Sequence, residues 1–346
     1  MYNLQHNFDP NVNEIINYLI CPSCHNKLSR YPNLFSCTGC ARTYPILDGI
    51  PRFILEFKPF IEETRKSFDL QWEMSRLRGE YNQFNPEYKN KLITYLLDDA
   101  MLESDYFKGK KVLDAGCGIG RFTYALTQLG AYVTAIDYND IAVKIAYEYF
   151  KDNSQVKVIQ ADIFNLPFPE NSFDFILSWG VLHHTGNTKE AFDKLVPLLK
   201  NNGILFVMLY EKYNAFKLWF TDQVRKLTLK KDKEKLYNLC IFLSKICRYS
   251  IFRIPLKPFI DIGSSAEGNY DAFAKAINQH HSAEEVFYWY LEHGFSEITL
   301  NASRRFRNPL FQFLQGKWGG TVRMRGTKRK VGASSVREVL HLVSQG

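Results

Sequence analysis

The stretch Lys111-Val-Leu-Asp-Ala-Gly-Cys-Gly-Ile-Gly-Arg-Phe122 decides how this chain folds. It starts as a short apolar strand, breaks at the alternate glycines Gly116, Gly118 and Gly120, and resumes as a helix from Arg121 to Leu129. Glycine there allows positive φ and close approach of a ligand to the main chain. A strand, a glycine turn and a helix N-terminus together make a corner suited to a nucleotide. The next strand, Tyr132 to Ile136, ends at Asp137, which lies 21 residues after Gly116. An acid at that place can accept hydrogen bonds from both ribose hydroxyls of an adenosine ligand.

The dinucleotide fingerprint spaces its glycines G-x-G-x-x-G, whereas here they run G-x-G-x-G behind Asp114. That pattern resembles the first motif of the class I S-adenosylmethionine (SAM) methyltransferases. The resemblance implies that Asp114 faces the methionine ammonium, with Gly116, Gly118 and Gly120 around the methionine end and Asp137 and Tyr138 at the ribose. Farther on, Val156 to Ile159 reads as a third strand followed by Ala161-Asp162-Ile163. In the family pattern Asp162 reaches the adenine amino group and the Ile163 amide a ring nitrogen. The phrase Leu166-Pro-Phe-Pro-Glu-Asn-Ser-Phe-Asp-Phe-Ile-Leu-Ser178 resembles the turn and fourth strand, with Ser178 closing the cofactor set. A helix around Lys189 to Lys200 and a fifth strand from Gly203 to Leu209 follow. The implied fold is a doubly wound, Rossmann-like, seven-stranded class I sheet.

For chemistry, His183, His184 and Tyr210 are the candidates at the acceptor side, His184 ahead of His183. A histidine can take a proton from a hydroxyl. Strand four ends Ser178-Trp179-Gly180 rather than in the Asn/Asp-Pro-Pro-aromatic signature of base-amino methylation, and no cysteine nucleophile for pyrimidine C5 chemistry stands near it.

Ahead of the core, Cys21-Pro-Ser-Cys24 and Cys37-Thr-Gly-Cys40 are separated by twelve residues. Two such turns, joined by a hairpin over Asn26 to Phe35, aim four thiolates at one point and suit a closed structural zinc site. The segment from Leu19 to Pro51 resembles the small zinc-ribbon proteins that activate RNA- and protein-modifying methyltransferases, here fused to the enzyme. Between ribbon and core, Phe60 to Arg78 reads as a helix. Its Ser67-Phe-Asp-Leu-Gln-Trp72 resembles an F-x-x-Q-W element of bacterial methyltransferases linked with glycan and secondary-metabolite pathways. A second helix runs over Glu87 to Leu102.

The divisions expected are a ribbon over 1–58, a helical lid and linker over 59–110, the SAM-binding core over 111–210, a helical cap insertion over 211–280, the end of the core over 281–330 and a tail. In the penultimate part Ser282 should cap a helix that Gly294 stops, and an antiparallel strand should lie near Gly320 to Arg325. A short helix is expected over Ser335 to Val343. His280 and His281 stand at the mouth of the expected pocket and fit an ordinary cap.

The balance of 46% hydrophobic and 23% charged residues is that of a globular protein. Met1 to Pro10 has no basic-then-apolar signal pattern and no run is long enough for a transmembrane segment, so cytoplasm is expected. Residues 211–258 carry twelve Lys/Arg against four Asp/Glu, and 301–346 ten against one, so the rest of the +8 chain is net acidic. Such asymmetry suits a solvated basic face or an anionic partner. The motif resemblances imply a SAM-dependent methyltransferase, and the two CxxC turns a structural zinc. Its acceptor is expected to be a small molecule or saccharide. RNA gripped by ribbon and basic tail is the rival, and a SAM-binding scaffold without turnover is the third reading.

Overall fold

The computed structural model describes residues 19–56, 59–78, 86–212, 215–249, 251, 266–301 and 320–329. The helix expected over 335–343 lies outside them. The central strands are β5 (Lys111–Ala115), β6 (Tyr132–Asp137), β7 (Val156–Ala161), β8 (Phe173–Trp179) and β9 (Leu199–Tyr210). All are mutually parallel where they pair. They are nearly continuous apolar runs because helices cover both faces. Two strands close the far edge antiparallel, β10 (Phe295–Leu300) and β11 (Thr321–Lys328), with β11 between β9 and β10.

Among the described residues the sheet has eleven strands, which corrects the expected count of seven. The ribbon strands β1 (Leu28–Tyr31), β2 (Leu34–Cys37), β3 (Thr43–Leu47) and β4 (Ile50–Phe53) continue the same sheet, in the order β1-β2-β3-β4-β7-β6-β5-β8-β9-β11-β10. The junction is a parallel pairing of Arg52 with Gln160 and Phe53 with Ala161. An open parallel sheet leaves a row of unpaired backbone groups on its edge strand, and β4 covers it.

Side chains alternate across the sheet. On one face Val112, Val133, Phe175 and Phe206 pack under helices α2 (Pro86–Ala100) and α3 (Arg121–Gln128). Farther along that face, Ala135 and Val158 pack under α4 (Asp140–Phe150). On the other face Leu113, Ile136, Ile176 and Val207 pack under α5 (Thr188–Leu195) and α9 (Ala283–Glu292), and the ribbon residues Phe35, Tyr44 and Phe53 join that core. The helix expected from Lys189 to Lys200 ends early. Pro197 falls in a 3-10 turn over Val196–Leu198, and the chain is already a strand at Leu199. Ser282 does cap α9, its hydroxyl accepting from the Glu285 amide.

Over the C-terminal ends of the strands lies a helical layer. It comprises α1 (Pro59–Arg78), α6 (Ala215–Thr228), α7 (Lys233–Cys247) and α8 (Ala266–Ala274). These meet in a separate apolar cluster of Leu70, Val224, Leu236, Tyr237, Tyr270 and Phe273. The layer roofs the cleft where β5 has β6 on one side and β8 on the other, the topological switch at which such sheets take ligands.

Candidate active site

β5 delivers Asp114 to the cleft, and the loop after it turns back toward β6: the Gly116 and Cys117 amides both donate to the Ile136 carbonyl at 2.8 Å. Two glycines are required here. Gly116 has φ +87°, and a Cβ on it would meet the Val181 side chain at 2.4 Å; Gly118 has φ +54°, and its Cβ would lie 3.1 Å from the Trp72 ring. The loop is therefore pressed between the chain after β8 and the lid helix α1.

Asp114 is buried, and the Thr123 hydroxyl donates to its Oδ2 at 2.7 Å. Burial pushes its carboxyl up to about 7, against the pull of the Thr123 hydrogen bond. Asp137 closes the loop from the other side: the Gly118 amide donates to its Oδ2 and the Asn139 amide to its Oδ1, both at 2.8 Å. Each oxygen keeps acceptor capacity for a hydroxyl. Burial raises this carboxyl too. Asp162 accepts from the Phe164 amide at 3.0 Å.

These acids border one cavity of ≈ 450 Å³. Of the residues expected at the site, Asp114, Gly116, Gly118, Asp137, Tyr138, Asp162, Ile163, His184 and Tyr210 line it. Gly120, Ser178 and His183 are not among its lining residues. Gly120 is the N-cap of α3. The Ser178 hydroxyl is buried and donates to the Ala115 carbonyl at 3.0 Å, which ties β8 to β5. His183 is fully buried and stacks on Tyr210 with ring centroids 3.9 Å apart. Burial holds it well below the usual histidine range, so it packs as a neutral ring.

His184 is placed differently. Its Nδ1 lies 2.8 Å from the Ile277 carbonyl, which can only accept, so Nδ1 carries the proton and Nε2 the lone pair. Burial pushes this imidazole down to about 3. It stays neutral and accepts hydrogen bonds, but it is a weak base. The Phe68 ring stands edge-on to it at 5.3 Å.

The roof contributes residues that the sequence did not single out. Arg65, Gly268 and Asp271 line the cavity from above, and Arg121, Thr321 and Arg323 from the side. Lys275 is fully buried, donates to Gln71 Oε1 at 2.6 Å, and sits 3.3 Å from the Phe68 ring centroid. Burial brings its ammonium down to about 7, with Asp271 pulling the other way from 3.6 Å. The Ser67 hydroxyl donates to the Ala274 carbonyl and the Ile277 amide to the Thr64 hydroxyl, so lid and roof are fastened to each other. A lysine some 200 positions from its partner leaves no local pattern, and only the Phe68-Gln71-Trp72 group on α1 was visible in advance.

Residues 113–207 match the family model described as a methyltransferase domain. The chain carries a class I SAM-methyltransferase domain. Around it, the chain is 24% identical over 235 residues to an uncharacterized chloroplastic methyltransferase of Arabidopsis thaliana, covering 58% of this chain and 63% of that protein. It is 33% identical over 156 residues to an uncharacterized protein of Methanocaldococcus jannaschii, covering 42% and 65%. The chain thus spans under two thirds of the length of these relatives. Among solved structures, one chain of a Haloferax volcanii complex between a methyltransferase activator and a methyltransferase aligns with a TM-score of 0.46 and 15% identity, over 76% of this chain and 98% of that one.

Beside the methyltransferase domain, Cys21, Cys24, Cys37 and Cys40 form a cluster able to bind a metal, with all four sulfurs within 4.8 Å of one another. The cradle fits thiolates: the Gly39 and Cys40 amides point at Cys37 Sγ, and Asn26 donates to Cys24 Sγ at 3.4 Å. The Asn26 contacts help hold the Cys24 thiol down to about 6. Among the described residues no helix is long and apolar enough to cross a membrane.

Asp114 makes the methyltransferase domain pH-sensitive before any ligand binds. Its folded pKa of about 7 lies above the ordinary carboxyl value, so the folded state holds this proton more tightly than the unfolded chain. The resulting stabilisation is full in acid below the ordinary value of about 4 and is lost as pH rises to about 7. In ligand-free protein, Asp114→Asn should melt progressively higher than wild type across that window. Parallel melting curves for the two proteins across it would refute the assignment.

Proposed function

We propose that this chain transfers the SAM methyl group to a hydroxyl or amine of a small molecule, with a saccharide-type acceptor as the narrower reading. The observation that carries this is the shape of the cavity. The acids of the glycine loop and of β6 and β7 border one part of it. Phe68, Trp72, Phe122, Trp179 and Tyr210 also line it, under a helical roof. An aromatic-walled cavity of ≈ 450 Å³ has the size and character of a small-ligand site.

Asp114 would hold the methionine ammonium, Asp137 the ribose hydroxyls, and Asp162 with the Ile163 amide the adenine. Bound SAM supplies a methyl already activated on a sulfonium. The aromatic walls hold the acceptor in line and exclude water, an alignment worth about 7–11 kcal/mol for well-oriented reactants. His184 Nε2 and the Tyr210 hydroxyl would orient the acceptor, since both residues line the cavity. With its pKa near 3, His184 fixes the acceptor's O–H direction rather than removing the proton before transfer. The cysteine cluster would hold one structural zinc, as in the ribbon it resembles.

The test uses SAM carrying a radiolabelled methyl, the full chain, and extract from cells lacking its gene, with products separated by size and nuclease sensitivity. Label in a small, nuclease-resistant fraction is expected. Label in nuclease-sensitive RNA would replace the small-molecule reading, and tight SAM binding with no labelled product would leave a scaffold.

A further inference from the structure

Helix α6 of the roof is built inside out. On α6 the side chains of Lys217, Thr221 and Arg225, spaced four apart, are buried, while Trp219 (57% exposed), Phe220 and Leu227 (68%) face outward. The inward polar groups are satisfied locally: Arg225 Nε donates to the Ala272 carbonyl at 2.8 Å and its guanidinium pairs with Asp222. On α7 and the turn after it, Leu239, Phe242 (57%) and Tyr249 form a second outward stripe at helical spacing. Both helices pack their inner sides on α8, which borders the cavity with Gly268 and Asp271.

Cations surround both stripes. Lys230 follows the α6 stripe one turn on, Lys235 precedes the α7 stripe by one turn, Lys245 interrupts it, and Arg248 adjoins Tyr249; all four are exposed. Residues 211–258 hold twelve Lys/Arg against four Asp/Glu. Scattered exposed apolar residues need no explanation, but contiguous ones on a helix that buries its own polar face do.

We propose that α6 and α7 dock on an anionic lipid bilayer. Rings such as Trp219, Phe242 and Tyr249 suit the headgroup region, while lysines reach the phosphates with their stems along the apolar boundary. The aliphatic members decide against single-stranded RNA: Leu227 and Leu239 offer no ring for base stacking, whereas acyl chains accept them as readily as rings. Docking would set the cavity roof against the membrane surface. The inference stands on the two helices and not on the identity of the methyl acceptor.

The experiment is vesicle co-sedimentation of the full chain, with phosphatidylcholine alone and with an equimolar mixture of phosphatidylcholine and phosphatidylglycerol. Binding to the anionic vesicles is expected, weakening with salt, and feeble binding to the neutral ones. Trp219→Ser with Phe242→Ser should lose roughly a hundredfold in vesicle affinity. Lys230→Ala and Lys235→Ala should each lose about fivefold at low salt. All four side chains are exposed, so melting temperatures should stay at the wild-type value, and a variant that melts lower is replaced by Leu239→Ser. No binding of the wild type to anionic vesicles, or undiminished binding by the aromatic variant, overturns the proposal. So does a wild-type dimer that the aromatic variant makes monomeric, since a second copy would then cover the stripes. RNA retention with the same variant dependence overturns it as well.

Discussion

Replacing Asp137 with alanine is expected to weaken SAM binding by roughly 100-fold or more, about 3 kcal/mol, as two charge-assisted hydrogen bonds are lost. Two effects add. In the proposed SAM site the carboxylate would accept from the ribose hydroxyls, and it also holds the Gly118 and Asn139 amides at 2.8 Å. Without it the Gly118 end of the loop is released, only the Gly116 and Cys117 bonds to the Ile136 carbonyl remain, and the ligand must reorder Gly118 as it binds. Stability should change far less. Burial already disfavours the ionised Asp137, so removing it relieves a desolvation penalty while leaving two amides to find water. Calorimetric titration with SAM and melting of the ligand-free variant separate these contributions. An affinity within threefold of wild type would mean the ribose is held by another group.

The second large effect concerns the ribbon. Cys37→Ser, or removal of the metal by a strong chelator, should lower the melting temperature by about 10 °C or more, because a closed four-thiolate site supplies on the order of 10 kcal/mol to a small module. The loss should not stop at the ribbon. Phe35, Tyr44 and Phe53 share one core with Ile159 and Ala161 of β7. Arg52, buried at the junction, donates to Gln160 Oε1 at 3.0 Å and pairs with Asp140 at 2.7 Å, and Gln160 Nε2 donates to the Tyr138 carbonyl at 2.9 Å. Tyr138 follows Asp137 in the cavity wall. SAM affinity should therefore fall along with stability, with Arg52 carrying the coupling. Metal analysis of the purified protein should find one zinc per chain. Protein free of metal that melts and binds SAM like the untreated chain would refute both the site and the coupling.

Much of this architecture is written in local pattern. The Lys111–Ala115 strand, its glycine loop, the helix beginning at Arg121 and the strand ending at Asp137 are short-range features, and glycine spacing, apolar runs and a cap such as Ser282 are enough to place them. The four cysteines likewise announce their cluster, since two CxxC turns and a hairpin leave little freedom. What the sequence by itself determined was this local chemistry: which residues turn, which strands are buried, and which acids and thiols stand at their ends.

Tertiary structure decided how these pieces face one another. Edge pairing joins residues about a hundred positions apart, such as Arg52 and Gln160, and no periodicity encodes it, so the ribbon reads as a separate module until β4 is seen beside β7. His183 and His184 are adjacent and chemically identical, yet a single step along a 3-10 turn buries one against Tyr210 and aims the other at the cavity. Lys275 acquires its character only from Phe68, Gln71 and Asp271, which arrive from elsewhere in the chain. Helix α6 makes the same point: its sequence shows a polar stripe and an aromatic stripe, but which one turns inward depends on α8 offering the Ala272 carbonyl to Arg225. Local interactions fix conformation along the chain, whereas burial and partner choice are collective and exist only once the layers have packed.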